Sequence, residues 1–213
     1  MYIYFSTIDA RTAYFWMAST VVPRPVAWVS TCSNSGVNNL APFSFFQVIT
    51  PSPTTLMISP LLHADGAMKD TARNIAENGE FVVNLVQFTE VERMNQTSGN
   101  FAVDQSEALA CGVAMCDSVM VRPQRVAGVA VSFECRLASL MPYPATQPSC
   151  HVIFGEVVAA HIDEAILGAD GQIDPVHLNL VSRMGADWYG RTSGDANFTL
   201  ARPSGWNQRP NQK

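Results

Sequence analysis

The sequence predicts a mainly β protein, an antiparallel barrel or sandwich with a few short helices, and three observations carry that expectation. Six short segments rich in Val, Ile, Phe and Thr are bounded by clusters of Gly, Pro, Asn or Ser. Only two stretches show helical spacing, so strand and helix do not alternate as a parallel sheet requires. From Pro25 through Ala64 there is no Asp, Glu, Lys or Arg, in a chain that is 15% charged overall. Something must remove that stretch from water.

Taken in order, "PVAWVST" (25–31) and "NLAPFSFF" (39–46) read as adjacent strands joined by the turn "SNSG". Trp28, Leu40, Phe43, Phe45 and Phe46 occupy both parities, so both faces of this pair should be covered, by a ligand or a second subunit. Pro42 offers no N–H to a ladder and marks an edge or a bend. "TTLMIS" (54–59), "EFVVNLV" (80–86), "GVAVSFECRLASL" (128–140) and "CHVIFGEVVAAHI" (150–162) complete the strands. Between the third and fourth lies "KDTARNIAENG", a helix with Asp70 or Thr71 as cap, Ala72, Ile75 and Ala76 on one apolar face, and Gly79 at its end. A second helix is expected over "TEVERMNQT" (89–97). Without a long linker, repeat or charge block, residues 1–203 read as one domain and 204–213 ("SGWNQRPNQK") as a loose tail.

The charge balance narrows the partners. With 13 basic against 18 acidic residues and a net charge of −5, the chain offers no basic field for nucleic acid or an anionic membrane. Pro and Asn interrupt every window of the uncharged run that could span a bilayer. Asp9 and Arg11 precede only a short apolar patch with no cleavage pattern, so a cytoplasmic protein is expected. Five cysteines, an odd number at irregular spacing, read as free, mostly buried thiols rather than as disulfides or metal ligands.

One constellation suggests anion binding. The start of the "KDTARNI" helix presents unpaired backbone N–H groups and a positive dipole end, with Lys69 before it, Asp70 and Thr71 in its first turn, and Arg73 and Asn74 close by. An ordinary capped surface helix would show the same spacing. Ser30, Thr31, Asn39 and Ser44 set hydroxyls and an amide among aromatic residues, where they can donate without adding negative charge, or can satisfy local turns. Arg24, held between Pro23 and Pro25, can aim at a phosphate or at a carboxylate across a subunit interface.

"RPVAWVST", "NLAPFSFF", "KDTARNI" and "GEFVVNLV", followed by "VSFECRL", "HVIFGEVV", "GQIDP", "SRMGADWY" and "LARP", closely resemble the flavin reductase-like, FMN-binding split-barrel proteins, in the family's order over nearly the whole chain. The resemblance implies a Greek-key split β-barrel, a homodimer, and FMN near the subunit interface. It implies flavin contacts from Arg24, Trp28, Ser30, Thr31, Asn39, Ser44, Phe45, Lys69, Asp70, Thr71 and Asn74, and an approach by Arg183 and Trp188 from the C-terminal region. It makes His151 the candidate for orienting the reductant, with Gly155 allowing a close approach nearby. The sequence departs from the family pattern where Ala186 stands in place of an expected second glycine; a site needing positive φ would be strained there.

FMN combines a dianionic phosphate with a flat amphipathic ring, and hydride transfer to it asks for stacking and placed donors rather than for acid–base machinery. No paired carboxylates, GxSxG, P-loop or GxGxxG occur, so a nicotinamide would bind over the flavin without a domain of its own. The expectation is an NAD(P)H-dependent FMN reductase able to supply reduced flavin to a partner oxygenase. The alternative is a flavoredoxin-like carrier that holds FMN and exchanges electrons with a protein partner.

Overall fold

The computed structural model describes residues 1–192 and 194–203. The expected tail, 204–213, lies outside the described residues. Twelve strands are present among those described: β1 (Arg24–Pro25), β2 (Ala27–Cys32), β3 (Asn38–Phe43), β4 (Phe46–Pro51), β5 (Thr54–Ile58), β6 (Glu80–Leu85), β7 (Met115–Cys116), β8 (Arg125–Val126), β9 (Val131–Tyr143), β10 (Cys150–Ile162), β11 (Val181–Gly185) and β12 (Trp188–Arg191). The helices are α1 (Ala10–Thr20), α2 (Asp70–Asn78), α3 (Val91–Gln96), α4 (Glu107–Ala110) and α5 (Pro175–Leu178). No described helix is long and apolar enough to cross a membrane.

Seven strands form one antiparallel sheet in the order β3-β2-β6-β9-β10-β5-β4. Its two edges, β3 and β4, are consecutive in the chain and joined by Ser44 and Phe45 alone. Three residue steps from Phe43 to Phe46 reach at most about 11 Å. Six strand spacings laid flat would separate the edges by about 29 Å. The sheet is therefore rolled until its edges meet, and because β3 and β4 do not pair, the barrel stays split along that seam. The expected strand over 39–46 is thus two strands meeting at a break. Pro42 sits on the edge strand β3, where a missing N–H leaves no gap in a ladder with another strand.

Alternation along β2 builds two cores. Ala27 and Val29 point into the barrel with Leu56, Ile58, Phe81, Val83 and Ile153, and Ala72 and Ile75 of α2 pack into the same cluster. Val26 and Trp28 point the other way, into a cluster with Leu40, Met94 of α3, Ala108 of α4, Val113 and Val126. The second face of β2 is therefore covered by the chain's own helices and the β7–β8 hairpin. This corrects the expectation that a ligand or a second subunit covers it. β4 keeps uncharged residues in solvent, with Gln47, Val48 and Ile49 exposed.

Helix α2 begins after Lys69, whose side chain makes no cap, and ends at Gly79 in the left-handed region at φ 70°. The predicted caps Asp70 and Thr71 are first-turn residues instead, and Asp70 is paired with Arg73 at 2.6 Å. Helix α1, not expected from the sequence, is capped by Asp9, which accepts from the Thr12 N–H at 2.9 Å. The expected helix over 89–97 is a one-turn 3-10 helix followed by α3. All five cysteines are free thiols, with Cys135 and Cys150 buried.

Gly155 sits at a β-bulge in β10, and a Cβ added there would stand 2.2 Å from Cζ and 2.7 Å from Cε1 of the buried Phe81 ring. The ring that approaches Gly155 closely is thus the protein's own. Gly155→Ala is expected to lower stability by about 1–3 kcal/mol, read as a shifted urea midpoint at unchanged slope, because Phe81 has no free volume into which to retreat.

Candidate functional site

The seam between β3 and β4 opens into a cleft of about 490 Å³, within the range of roughly 300–1,000 Å³ typical of small-molecule sites. Asn39, Ala41, Pro42 and Phe43 of the edge strand form one wall. Ser44 and Phe45, which bridge the barrel's edges, form the back, and Lys69, Asp70 and Thr71 bring the start of α2 to one end. The segment from Met94 to Phe101, together with Glu107, lines another side, and Arg183, Asp187 and Tyr189 come from the small β1–β11–β12 sheet.

This small sheet ties the site to α1. Arg24 and Arg183 stand directly opposite each other across β1 and β11. Buried Arg24 donates from Nη1 to the carbonyls of Ala18 and Val21, at 2.5 and 2.6 Å, and lies 5.7 Å above the Phe45 ring. Burial pulls the Arg24 pKa down; the Tyr14 interaction opposes this and nearby Arg183 adds to it. Its Nε lies 3.4 Å from the Ser44 hydroxyl. Arg24 thereby sets the back wall from behind and is not itself a lining residue. Arg183 rests over the Tyr189 ring at 4.6 Å and donates to the Ala186 carbonyl.

Of the residues singled out in the sequence, the fold brings Asn39, Ser44, Phe45, Lys69, Asp70, Thr71 and Arg183 to the cleft. It places Trp28 in the outer core, fully buried, with its indole N–H donating to Thr97 at 2.9 Å; Trp28 supports a cleft residue without reaching the cleft. Ser30 donates to the Gln124 carbonyl. Asn74 donates to Thr31 Oγ1 at 3.0 Å, fastening α2 to β2. Ser30, Thr31 and Asn74 are buried, and none of them lines the cleft.

His151 is also held away from the cleft. Its backbone N–H donates to Pro60, its strand partner is Pro142, and its ring Nδ1 has no partner. His63, passed over in the sequence, is the histidine that lines the cleft. Trp188 is 75% exposed whereas its neighbour Tyr189 faces the site, because successive residues of β12 point to opposite faces. Ala186 does take a positive φ, of 44°. Ala186→Gly is expected to raise stability by about 0.5–1 kcal/mol, a higher calorimetric Tm, by removing that strain.

Glu107 is the residue that sequence reading missed most completely. It is buried, accepts from the Leu40 N–H at 2.9 Å, and borders the cleft beside Asn39. Burial raises its carboxyl pKa above the ordinary value, against the opposing effect of the Leu40 N–H, and Asp70 adds to the rise. The available sequence signal is weak: one acid beginning "EALA", a four-residue helix too short to show a periodic pattern.

The cleft suits a flavin mononucleotide. Helix α2 has no side-chain cap, so its first N–H groups and Lys69 remain available to a phosphate at one end. Tyr14, Pro42, Phe43, Phe45, Phe101 and Tyr189 supply apolar and aromatic surface for a ring.

Comparison with known proteins agrees with this geometry. The family described as "Flavin reductase like domain" matches residues 17–177. An uncharacterised protein of Aquifex aeolicus is 35% identical over 192 residues, covering 90% of this chain and 96% of that protein. Component B of nitrilotriacetate monooxygenase from Bacillus cereus superposes with a TM-score of 0.88 at 29% identity, over 94% of this chain and 98% of that one. The 2-nitrobenzoate 2-nitroreductase of Pseudomonas fluorescens gives 0.85 at 27% identity, over 96% and 97%. A split barrel with its cleft on the seam, matched by this profile over most of its length, makes the chain a member of the flavin reductase-like family, whose role is flavin-related redox chemistry.

Proposed function

We propose that the protein is an FMN reductase that holds FMN in the seam cleft, accepts hydride from NAD(P)H, and passes reduced flavin to a partner oxygenase. The observation that carries the reading is the pairing, in one cleft, of the uncapped start of α2 beside Lys69 with an aromatic wall. Bound FMN would supply the hydride-accepting atoms. The chain's own residues bind and orient: Lys69, Thr71 and the first N–H groups of α2 hold the phosphate, and Phe45, fixed by Arg24, presents a flat apolar surface. Arg183 contributes a cation above Tyr189 on the opposite side, where it can receive a nicotinamide phosphate or ring edge. The Bacillus cereus relative, whose name makes it a monooxygenase component, supports an oxygenase as the partner.

A homodimer belongs to the same reading, supported by the exposed, uncharged residues of β4 and by exposed Met141 and Tyr143 on β9. Sedimentation of the purified chain should give twice the monomer mass of 23.2 kDa. The decisive experiment is an anaerobic absorbance titration of the FMN-loaded protein with NADH and then NADPH. Bleaching with either nucleotide supports the reductase and identifies the coenzyme. Bound flavin that resists both identifies an electron carrier, and failure to bind FMN overturns the site.

A further inference from the structure

We propose that Glu107, Asn39 and Thr71 form a proton-linked switch that turns the Thr71 hydroxyl toward or away from an anion at the start of α2. The inference rests on the anion seat that the flavin reading uses, and concerns how that seat is regulated.

The three side chains form a line along the cleft, each less than one-tenth exposed. The Asn39 amide fits this line in two orientations. In one, its nitrogen donates to Thr71 Oγ1 at 2.9 Å and stands 3.3 Å from the Leu40 nitrogen, while its oxygen faces Glu107, an arrangement that is satisfied only when that carboxyl carries a proton. In the other, its nitrogen donates to Glu107 Oε1 at 3.0 Å, and its oxygen accepts from the Thr71 hydroxyl at 2.9 Å and from the Leu40 N–H at 3.3 Å. The charge on Glu107 decides between them. An ionised carboxylate has only lone pairs to offer, so it takes the amide N–H and forces the second orientation. The single Thr71 proton is then committed to Asn39, and lone pairs of Oγ1 face the cleft. A protonated Glu107 donates its O–H to the Asn39 oxygen, selects the first orientation, and leaves the Thr71 proton free to donate to an anion. Leu40 donates to Glu107 Oε2 at 2.9 Å in both.

An anion bound at the start of α2 therefore favours the protonated carboxyl, and binding takes up one proton whenever Glu107 is ionised in the free protein. The surroundings lean the same way. Glu107 is packed against β3, where it meets Asn39 and Leu40; Asp70 on α2 and Cys111 beyond α4 are the titratable groups that interact with it. Lys69, Arg183, Asp187, His63, Tyr14 and Tyr189 complete the charged and titratable lining of the cleft. Burial without a cationic partner already favours the neutral acid.

The test compares the wild type with Glu107→Gln, whose amide can donate to Asn39 and still accept from Leu40, and with Thr71→Val. Sulfate, which does not titrate between pH 5.5 and 8.5, is measured by its elevation of Tm, and FMN and riboflavin by calorimetry in buffers of different ionisation enthalpy. In the wild type, sulfate and FMN should bind about tenfold more weakly at the alkaline end than Glu107→Gln does, the size expected for one hydrogen bond to a charged group. The wild type should also take up a proton on binding FMN, absent in Glu107→Gln, while riboflavin shows neither effect. Thr71→Val should bind both anions weakly at every pH. The switch is overturned if Glu107→Gln keeps the wild-type pH dependence, or if no proton is taken up. If neither flavin binds, the flavin reading falls while the sulfate series still decides the switch; if no anion binds, both fall.

Discussion

Replacing Glu134 by alanine is expected to lower the unfolding free energy by about 3–5 kcal/mol, the loss expected when a buried carboxylate leaves several hydrogen-bond donors unpaired. Glu134 lies in β9, fully buried, and its carboxylate is an organising centre for the segment between β7 and β8. Oε1 accepts from the Val119 N–H at 2.9 Å, and Oε2 from Met120 at 2.6 Å and Val121 at 3.2 Å. His161, on the neighbouring strand β10, contacts Oε1 through Nε2 at 2.5 Å. Alanine would leave three backbone donors without their acceptor. Equilibrium urea unfolding provides the check, and a loss below 1 kcal/mol would mean that water replaces the carboxylate at little cost.

The same residue gives a pH signature. Burial alone would raise the Glu134 pKa, but the hydrogen bond from His161 and the N–H groups of Val119 and Met120 outweigh it and hold the carboxyl below its ordinary value. A depressed folded pKa contributes stability that is present above the unfolded value, near pH 4.3, and is lost as pH falls through the folded one. Glu134→Gln should therefore narrow its stability gap to the wild type below pH 4. Glu107 has the opposite sign. Its raised pKa contributes stability at low pH that fades as pH rises through the folded value, so the two acids shape opposite flanks of the stability profile.

Lys69→Ala should weaken FMN binding by about 10–100-fold while changing riboflavin affinity less than about threefold, as measured by fluorescence quenching. The contrast follows from placement: Lys69 stands just before the first turn of α2, at the end of the cleft where the phosphate is proposed to sit, and riboflavin has none. One charge-assisted contact in a partly desolvated cleft is worth about 1.5–3 kcal/mol, and that sets the fold-change. The loss should shrink in high salt, since Lys69 is only half-buried. Equal losses for both flavins would place the phosphate elsewhere.

Much of the barrel was legible because its signals are local. Residues 150–162 read as a strand from composition alone and form β10 over the same span. Gly79 ends α2 where the left-handed backbone requires a glycine. The uncharged run marked β2, which is buried, but not what covers it, since α3, α4 and the β7–β8 hairpin do so; and it failed over β4 and the turn after it, where Gln47, Val48, Ile49 and residues 51–54 are exposed. The break at Ser44 and Phe45, which makes the cleft, carries no local signature, since both residues suit a strand. It exists because the two edges of a rolled sheet have to be joined there.

The sequence by itself determined the longer strands, the helix that starts at "KDT", and the family to which these motifs belong. Hydrophobic periodicity and capping act over a few residues, so they can be read without a fold. Only the tertiary structure decided which chemically suitable side chains face the cleft. Thr71 and Asn74 lie one turn apart on α2, yet the first lines the cleft and the second is spent on Thr31. Tyr189 rather than Trp188, and His63 rather than His151, reach the site because strand parity and the docking of distant segments choose them. Glu107 meets Asn39 across 68 positions of sequence, and its protonation can matter to Thr71 only because the rolled sheet and α4 bury all three together.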